Sequence, residues 1–498
     1  MFFRIIRVRR VPFHERHKVM LNKRTKIVAT ISSLNCGEEL IRSLYENGMD
    51  VARLNTAHMS IEEAETIVAN IRSVSPDIAI MVDTKGPNIR VANLAAPLTL
   101  TTGQLTVVST GELAPEEGIQ VNYPRFCDEV KPGQNILIDD GSVALSIISR
   151  KSDRLICKVV CGGIVKDKKS VNVPDAVLHT PALTKKDRAF VDFAIANGLD
   201  FIAHSFVRDR DDVMALQSIL DTSASPIKII AKIENRQGVQ NLDGILDVAY
   251  GVMVARGDLG IEIPIEEVPL IQKHIIYECM RRRKPVITAT QMLQSMESAP
   301  RPTRAEVSDI ANAVMDGTDA VMLSGETANG KYPVESISMM ACILQETEKS
   351  PENLFIRADQ LSSGDQVRDN IVRAAVEISR RMPVRGIVCN TESGNSCNMC
   401  SAYRGHTPIF GLTYHPAVAR QLMLSYGVRP VIMDFVDDPA ELLKASLTKL
   451  TATKMVDNTD FVVLLGQLSE GSQATDFCSI VRPADVMAAG HNPAVNCK

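Results

Sequence analysis

Eight short apolar runs recur along this chain, separated by segments of helical periodicity. They are residues 26–30, 51–54, 78–82, 201–205, 227–233, 251–255, 285–289 and 320–323. Six of them break off at polar residues where a buried strand should stay apolar. Strand–helix alternation of this length predicts a TIM (β/α)8 barrel, in which the C-terminal strand ends share one face and their polar residues converge there. The competing architecture is an open doubly wound sheet, but no G-x-G-x-x-G follows the first run. Helix signals agree with the alternation. Leu40, Ile41, Leu44 and Tyr45 fall at helical spacing within residues 38–47, and Gly48 stands where a helix-ending glycine belongs. Ser60 with Glu63 has the spacing of a capping box, and Thr184 is followed three residues on by Asp187.

The rhythm changes twice. Residues 91–181 carry short β-rich runs at 105–109, 135–138, 142–149 and 154–160, with turn residues between them and almost no helix signal. They predict a small all-β, β-barrel-like domain inserted into the barrel, which then comprises residues 23–90 and 182–349. From about residue 350 a helix at 367–380 and strands at 386–389, 408–412 and 461–465 predict a separate C-terminal α/β domain running to residue 485. The tail after Pro483 carries few structural signals, and residues 486–498 are left outside the domain. Several domains suit a chain of 498 residues.

The net charge of −4 argues against nucleic acid or an acidic membrane as the main partner. No apolar run reaches the length that spans a bilayer. Eleven scattered cysteines are an odd number and no disulfide framework, which predicts a reducing, cytoplasmic location. Cys397 and Cys400 form one C-x-x-C without a second pair and are not read as a metal site; Cys157 and Cys161 are read as strand residues in a core. Residues 1–19 are Arg-rich, without the apolar stretch of a secretory signal. The preferred reading is an upstream start with Met20 as the working start, and a mitochondrial-type presequence is the alternative.

The strand ends carry the chemistry. The second gives Arg53, Asn55 and His58; the third gives Asp83, Thr84 and then Arg90. The fifth gives Lys232 and Glu234, the sixth Gly257 and Asp258, the seventh Thr290 and Gln291, the eighth Ser324, Gly325 and Glu326. Two carboxylates with few other ligands suit a hard cation that keeps some water, Mg2+ before others. A lysine beside that metal suits a phosphoryl group. The Gly257 turn before a helix offers N–H groups to a carboxylate, and two arginines favour a substrate with several negative charges. The plainer reading of each site is a surface Lys–Glu pair, an ordinary turn or a helix cap; Ser60 is a cap and Ser324 resembles one. Taken together, the ends describe a metal-dependent enzyme acting on a phosphorylated carboxylate.

In this order the segments resemble pyruvate kinase, from about residue 23 to about residue 481. The most specific are AKIENRQG at 231–238 and ARGDLGIEIP at 255–264. ATQMLQSMESAPRPTRAEVSDIANAVMDGTDAVMLSGETANGKYP at 289–333 is nearly as specific, and NTAH at 55–58, DTKGPNIR at 83–90 and KKSVNVP at 168–174 agree more loosely. The resemblance implies transfer of a phosphoryl group from phosphoenolpyruvate to ADP, the last step of glycolysis, by a homotetramer. It implies that Lys232 stabilises the transferring group, Arg53 holds the phosphate, and Glu234 and Asp258 bind Mg2+. Gly257 and Asp258 would receive the substrate carboxylate, and Thr290 would stand beside the enolate carbon. Asn55, His58, Arg90 and Lys169 match nucleotide-contacting positions. The insert matches a mobile lid that holds Asp139 and Asp140. Asn55, Asp83 and Thr84 match three of four K+ ligands. Thr391, Ser393, Gly394, Asn395 and Ser396, directly after the first strand of the last domain, match a loop for a phosphorylated effector.

The chain departs from the family pattern at several points. Ser32-Ser33 stand where glycine-proline is usual, and Ser170 where glycine is usual. Ala57 replaces a serine that commonly binds K+, and Asn88 a glutamate or lysine. Both point to a weakened K+ site. Two other functions are compatible with parts of the pattern: a metal-dependent, pyruvate-related barrel lyase, and a non-catalytic homologue. The lyase would not need the insert, the Lys232–Thr290 pair or the last domain, and a homologue without activity would not need every central position.

Overall fold

The structure, a computed structural model, describes residues 23–111, 113, 117–350, 366–466 and 475–488. The basic N-terminal segment with Met20 and most of the C-terminal tail lie outside the described residues.

Eight parallel strands close into a barrel: Lys26–Ile31, Val51–Asn55, Ala79–Asp83, Phe201–His204, Lys228–Ile233, Gly251–Ala255, Val286–Ala289 and Ala320–Leu323. The first pairs with the last, from Lys26 opposite Ala320 to Ala29 opposite Leu323. That pairing removes both sheet edges and decides against the open sheet. Residues such as Val28, Met81, Phe201, Ile230, Met253 and Ile287 fill the interior. Their neighbours Ile27, Ala29, Ile80, Ile202, Ile229 and Val252 pack outward with the helices. Burial on both faces is why the runs read as continuously apolar. The capping boxes of Ser60 with Glu63 and of Thr184 with Asp187 are formed, so both helices start where the spacing predicts.

The interior cluster also includes Met423 and Leu424 of the C-terminal domain. That domain closes the barrel at the N-terminal strand ends. Asp319, just before the eighth strand, accepts from Arg404 at 2.7 Å and from the Tyr426 amide at 3.0 Å. Asp200, just before the fourth, pairs with Arg420 at 2.7 Å. Lys26, opening the first, donates to the Val428 carbonyl at 2.6 Å. One mouth is thus occupied by protein, and the mouth with the polar strand ends is left for chemistry.

The insert has its own core around Phe126, Ile136, Leu145, Leu155 and Cys157. Seven strands pair in open order, beside a separate two-stranded ribbon. Cys161 corrects the sequence reading. The register with the preceding strand shifts between Val159 and Cys161, and this irregularity leaves Cys161 exposed while Cys157 stays buried.

The C-terminal sheet has five strands in the order Val428–Ile432, Ile409–Thr413, Val384–Asn390, Phe461–Gly466 and Phe477–Val481. Four are parallel and the last is antiparallel. The two outer strands have no counterpart in the sequence reading. Val428–Ile432 carries Arg429 and Pro430, and proline is tolerated at an edge but argues against a strand in a sequence. A further helix, Pro483–Ala488, follows where few signals were expected.

Candidate active site

Lys232 is the hub of the open mouth. It faces into the barrel near the end of the fifth strand, only 9% exposed. Its ammonium lies 3.0 Å from Asp83 Oδ1, 2.9 Å from Glu234 Oε1 and 2.7 Å from Ser205 Oγ. The Ser205 hydroxyl donates to the Thr84 carbonyl at 2.6 Å, so towards Lys232 it acts as acceptor. Asp83 is shared: its Oδ2 accepts from Arg53 Nε at 2.6 Å. Arg53 also donates to Thr30 Oγ1 at 2.8 Å. Five of the eight strand ends therefore meet in one buried network.

Burial alone would push the Lys232 ammonium down, but Asp83 and then Glu234 outweigh it and hold its pKa above the ordinary lysine value. Burial would raise Asp83, and Arg53 followed by Lys232 more than reverses this, so the carboxyl is depressed. Glu234 goes the other way. Burial raises it, Lys232 opposes that, and the nearby Asp258 carboxylate adds to it. Its Oε2 accepts from the Phe206 amide at 2.6 Å. A like-charge carboxylate that raises Glu234 in this way is what a divalent cation would relieve, and all-oxygen ligation suits Mg2+. Among the described residues no three His, Cys, Asp or Glu side chains converge as a metal site. A cation at Glu234 and Asp258 would complete its shell with water or substrate oxygens.

The seventh strand end is held beside the sixth. Thr290 and Gln291 have φ of 67° and 56°. For a β-branched residue this is an outlier that costs about 1–3 kcal/mol and marks a constrained turn. The Gly257 amide donates to Thr290 Oγ1 at 2.9 Å, and that hydroxyl donates to the Ala289 carbonyl at 2.7 Å. The amide expected to receive a carboxylate is thus directed at the threonine. An incoming carboxylate would exchange with it.

Above these groups a cleft of about 320 Å³ separates barrel and insert, within the usual range for small-molecule sites. Asn88, Arg90, Asp139, Asp140 and Lys169 line one side, with Phe206, Asp258 and Glu262 opposite. Lys169 pairs with Asp139 at 2.7 Å, and Arg90 donates to the Lys168 carbonyl at 2.6 Å. Asn172 of the insert donates to Glu262 of the barrel at 2.7 Å across this cleft. Asn55 and His58 do not line it; Asn55 Oδ1 accepts from the Ala57 amide at 3.2 Å, and His58 is exposed. Of the positions matched to K+ ligands, Asp83 is held by Arg53 and Lys232, and Thr84 Oγ1 accepts from the Ser205 amide at 3.0 Å.

Ser205 is the residue that sequence reasoning passed over. It follows the fourth strand as a polar group at a barrel strand end, the same signal that identified the others. Thr30 was missed because a threonine in an apolar run reads as strand filler.

The loop from Thr391 to Ser396 lies in the C-terminal domain, between Val384–Asn390 and the helix Asn395–Ala402. Thr391 Oγ1 accepts from the Gly394 amide at 2.9 Å, Gly394 has φ of 84°, and Ser396 Oγ lies 2.9 Å from Thr475 Oγ1. Ser393 and Asn395 are exposed. Glu392 accepts from the Tyr414 hydroxyl at 2.8 Å.

Residues 22–337 match the family described as pyruvate kinase, barrel domain, and residues 369–481 match pyruvate kinase, alpha/beta domain. A pyruvate kinase of Borreliella burgdorferi is 42% identical over 448 residues, covering 90% of this chain and 94% of the relative. One from Geobacillus stearothermophilus is 42% identical over 481 residues, covering 94% of this chain and 82% of the relative. The crystal structure of a pyruvate kinase from Cryptosporidium parvum superposes with a TM-score of 0.87 at 34% identity, covering 93% of this chain and 97% of that one.

Proposed function

This chain belongs to the pyruvate kinase family, and from that premise we propose how its strand-end residues divide the work of phosphoryl transfer. The reaction moves the phosphoryl group of phosphoenolpyruvate to ADP, giving pyruvate and ATP, and the family requires a divalent metal. The observation that carries the assignment is Lys232: a buried ammonium, kept charged by Asp83 and Glu234, at the open mouth of the barrel. The transferring group passes through a loose transition state with charge on its equatorial oxygens, and a fixed cation stabilises it. Arg53, locked by Asp83 and Thr30, holds the phosphate. Gly257 and Asp258 receive the carboxylate, and Thr290 orients the proton that the enolate carbon takes up. Glu234 and Asp258 would hold a Mg2+, which would supply Lewis-acid neutralisation of negative charge on the substrate. Arg90 and Lys169 contact the nucleotide in the cleft, and Asn55 and His58, outside the cleft's lining, are given to the nucleotide by the family resemblance alone. A coupled lactate-dehydrogenase assay with and without ADP tests the whole reading. Pyruvate formed equally fast without ADP would favour the lyase, and none at all the non-catalytic homologue.

Glu234→Gln should raise the Mg2+ concentration at half-maximal rate by about tenfold or more, because one anionic ligand becomes neutral. Metal titration of the steady-state rate checks this. An unchanged midpoint would place the metal elsewhere.

Asn55, Asp83 and Thr84 would hold a K+, in a weakened site. Ala57 offers no side-chain oxygen, and neutral Asn88 supplies neither a substitute cation nor an attracting charge. K+ then activates, but at raised concentration. The rate against KCl, at ionic strength held with a tetramethylammonium salt, tests this, and full activity without K+ rejects it.

The loop Thr391, Ser393, Gly394, Asn395 and Ser396 binds the phosphate of an effector through its hydroxyl and backbone donors. Hexose bisphosphates, sugar monophosphates and nucleoside monophosphates are the classes to screen at low phosphoenolpyruvate, with the Ser393→Ala/Ser396→Ala variant as control. A lack of response to every class would reject the loop.

A homotetramer would have Leu270 and Tyr277, exposed on one helix, and Met315, exposed on the next, available to bury between subunits. Sedimentation velocity of the purified chain distinguishes a tetramer from a monomer.

A further inference from the structure

The geometry points to Arg256 as a positioning residue that fixes Thr290 in its reactive place and joins it to the turn bearing Asp258. This rests on the role given above to Thr290. Arg256 opens that turn, immediately before Gly257. Its guanidinium reaches across to the seventh strand end, donating to the Ala289 carbonyl at 3.2 Å and to the Thr290 carbonyl at 2.6 Å. A third nitrogen pairs with Asp309, on the helix Arg304–Asp316, at 2.7 Å. The same nitrogen lies 3.4 Å from Gln272 Oε1. One side chain therefore ties three elements together.

The contacts fall where the backbone needs them. Ala289 closes the strand, and Thr290 and Gln291 then run through two consecutive left-handed conformations. Charged donors on the two carbonyls at this reversal hold it against relaxation to ordinary φ. On the other side, the Gly257 amide donates to Thr290 Oγ1. Thr290 is thus gripped twice from one turn, at its hydroxyl by Gly257 and at its carbonyl by Arg256. A planar guanidinium can serve two carbonyls and a carboxylate at once; a lysine ammonium on a flexible stem cannot keep all three in one geometry. Arg256 touches no reacting atom in this arrangement and acts through Thr290.

The test separates this from a general structural role. Protonation of the enolate carbon can be followed apart from phosphoryl transfer, as deuterium entering the pyruvate methyl group from D2O by NMR. Arg256→Gln should lower kcat and methyl exchange together, by up to about 10²-fold, since misplacing a reacting group by an ångström costs that much. The KM for phosphoenolpyruvate should change by less than about threefold. Arg256→Lys should lie between the two. In a Thr290→Val background, Arg256→Gln should add less than about twofold, because the residue it positions is gone. Asp309→Asn, at a half-exposed carboxylate outside the mouth, should lower exchange a few-fold in the same direction without threatening the fold. Full additivity of the two substitutions would overturn the inference while leaving Thr290's role intact. A Thr290→Val enzyme with unchanged kcat and exchange would overturn both. If Arg256→Gln does not fold, Asp309→Asn decides: unchanged methyl exchange rejects the positioning role.

Discussion

Lys232→Met should lower kcat by about 10²–10³-fold and leave the protein folded, as removal of a preorganised charge typically does. The fold should survive because the carboxylates left behind keep other partners, and Glu234, which loses its ion pair, can take up the proton that burial and Asp258 already favour. Asp83 keeps its 2.6 Å contact with Arg53, and Glu234 keeps the Phe206 amide. Ser205 keeps the Thr84 carbonyl as its acceptor. Methionine is also close to lysine in length, so the cavity left is small. What disappears is the one ammonium placed between two carboxylates at the open mouth, and with it the fixed charge for the transferring group. Steady-state turnover in the coupled assay, beside thermal unfolding followed by circular dichroism, is the measurement. A variant keeping more than about a tenth of the turnover would remove Lys232 from the mechanism.

Asp83→Asn should have the opposite balance, with a large loss of stability. Asp83 is 1% exposed and lies against both Arg53 and Lys232. An asparagine leaves buried Arg53 facing a neutral amide and Lys232 with Glu234 as its remaining carboxylate, and breaking a buried pair in this way costs about 3–5 kcal/mol. The urea midpoint should fall accordingly. Because the folded pKa of Asp83 lies below its unfolded value, the stabilisation is complete above about pH 4 and is lost as pH falls through the depressed value. Adding Lys232→Met to Asp83→Asn should cost less than the sum of the two single effects, since the contact between Lys232 and Asp83 is lost only once. A midpoint unchanged in Asp83→Asn, or full additivity in the double variant, would show that the network contributes little.

Much of this architecture was legible in the residues. The barrel strands 251–255 and 320–323 fall on the predicted residues, and the others end within two. Apolar runs buried on both faces leave little freedom in where a strand begins or stops. The polar strand ends were legible for the same reason, since a charge closing an apolar run has to meet solvent, a partner or a ligand. The C-terminal domain was harder. Its outer strands are half-covered, so their apolar signal is diluted by Arg429, Pro430 and Ser479.

By itself, then, the sequence determined the alternation of strand and helix, the position of the insert, and which residue types stand at each barrel strand end. These are local properties, set by periodicity, capping and the cost of burying charge. Which of those residues meet was set by closure of the barrel and packing of the domains. That Asp83 serves Arg53 and Lys232, that Ser205 completes the lysine's shell, and that Arg256 reaches Thr290 depend on the angle at which eight strands close. That Met423 and Leu424 stopper the opposite mouth depends on residues about 100 positions beyond Leu323, the end of the last barrel strand. Cys161 turned outward for a comparable reason, a register shift against a neighbouring strand that its own run of residues does not reveal. Periodicity specifies a face of an element; the partner on that face is set by closure and packing across long separations in the chain.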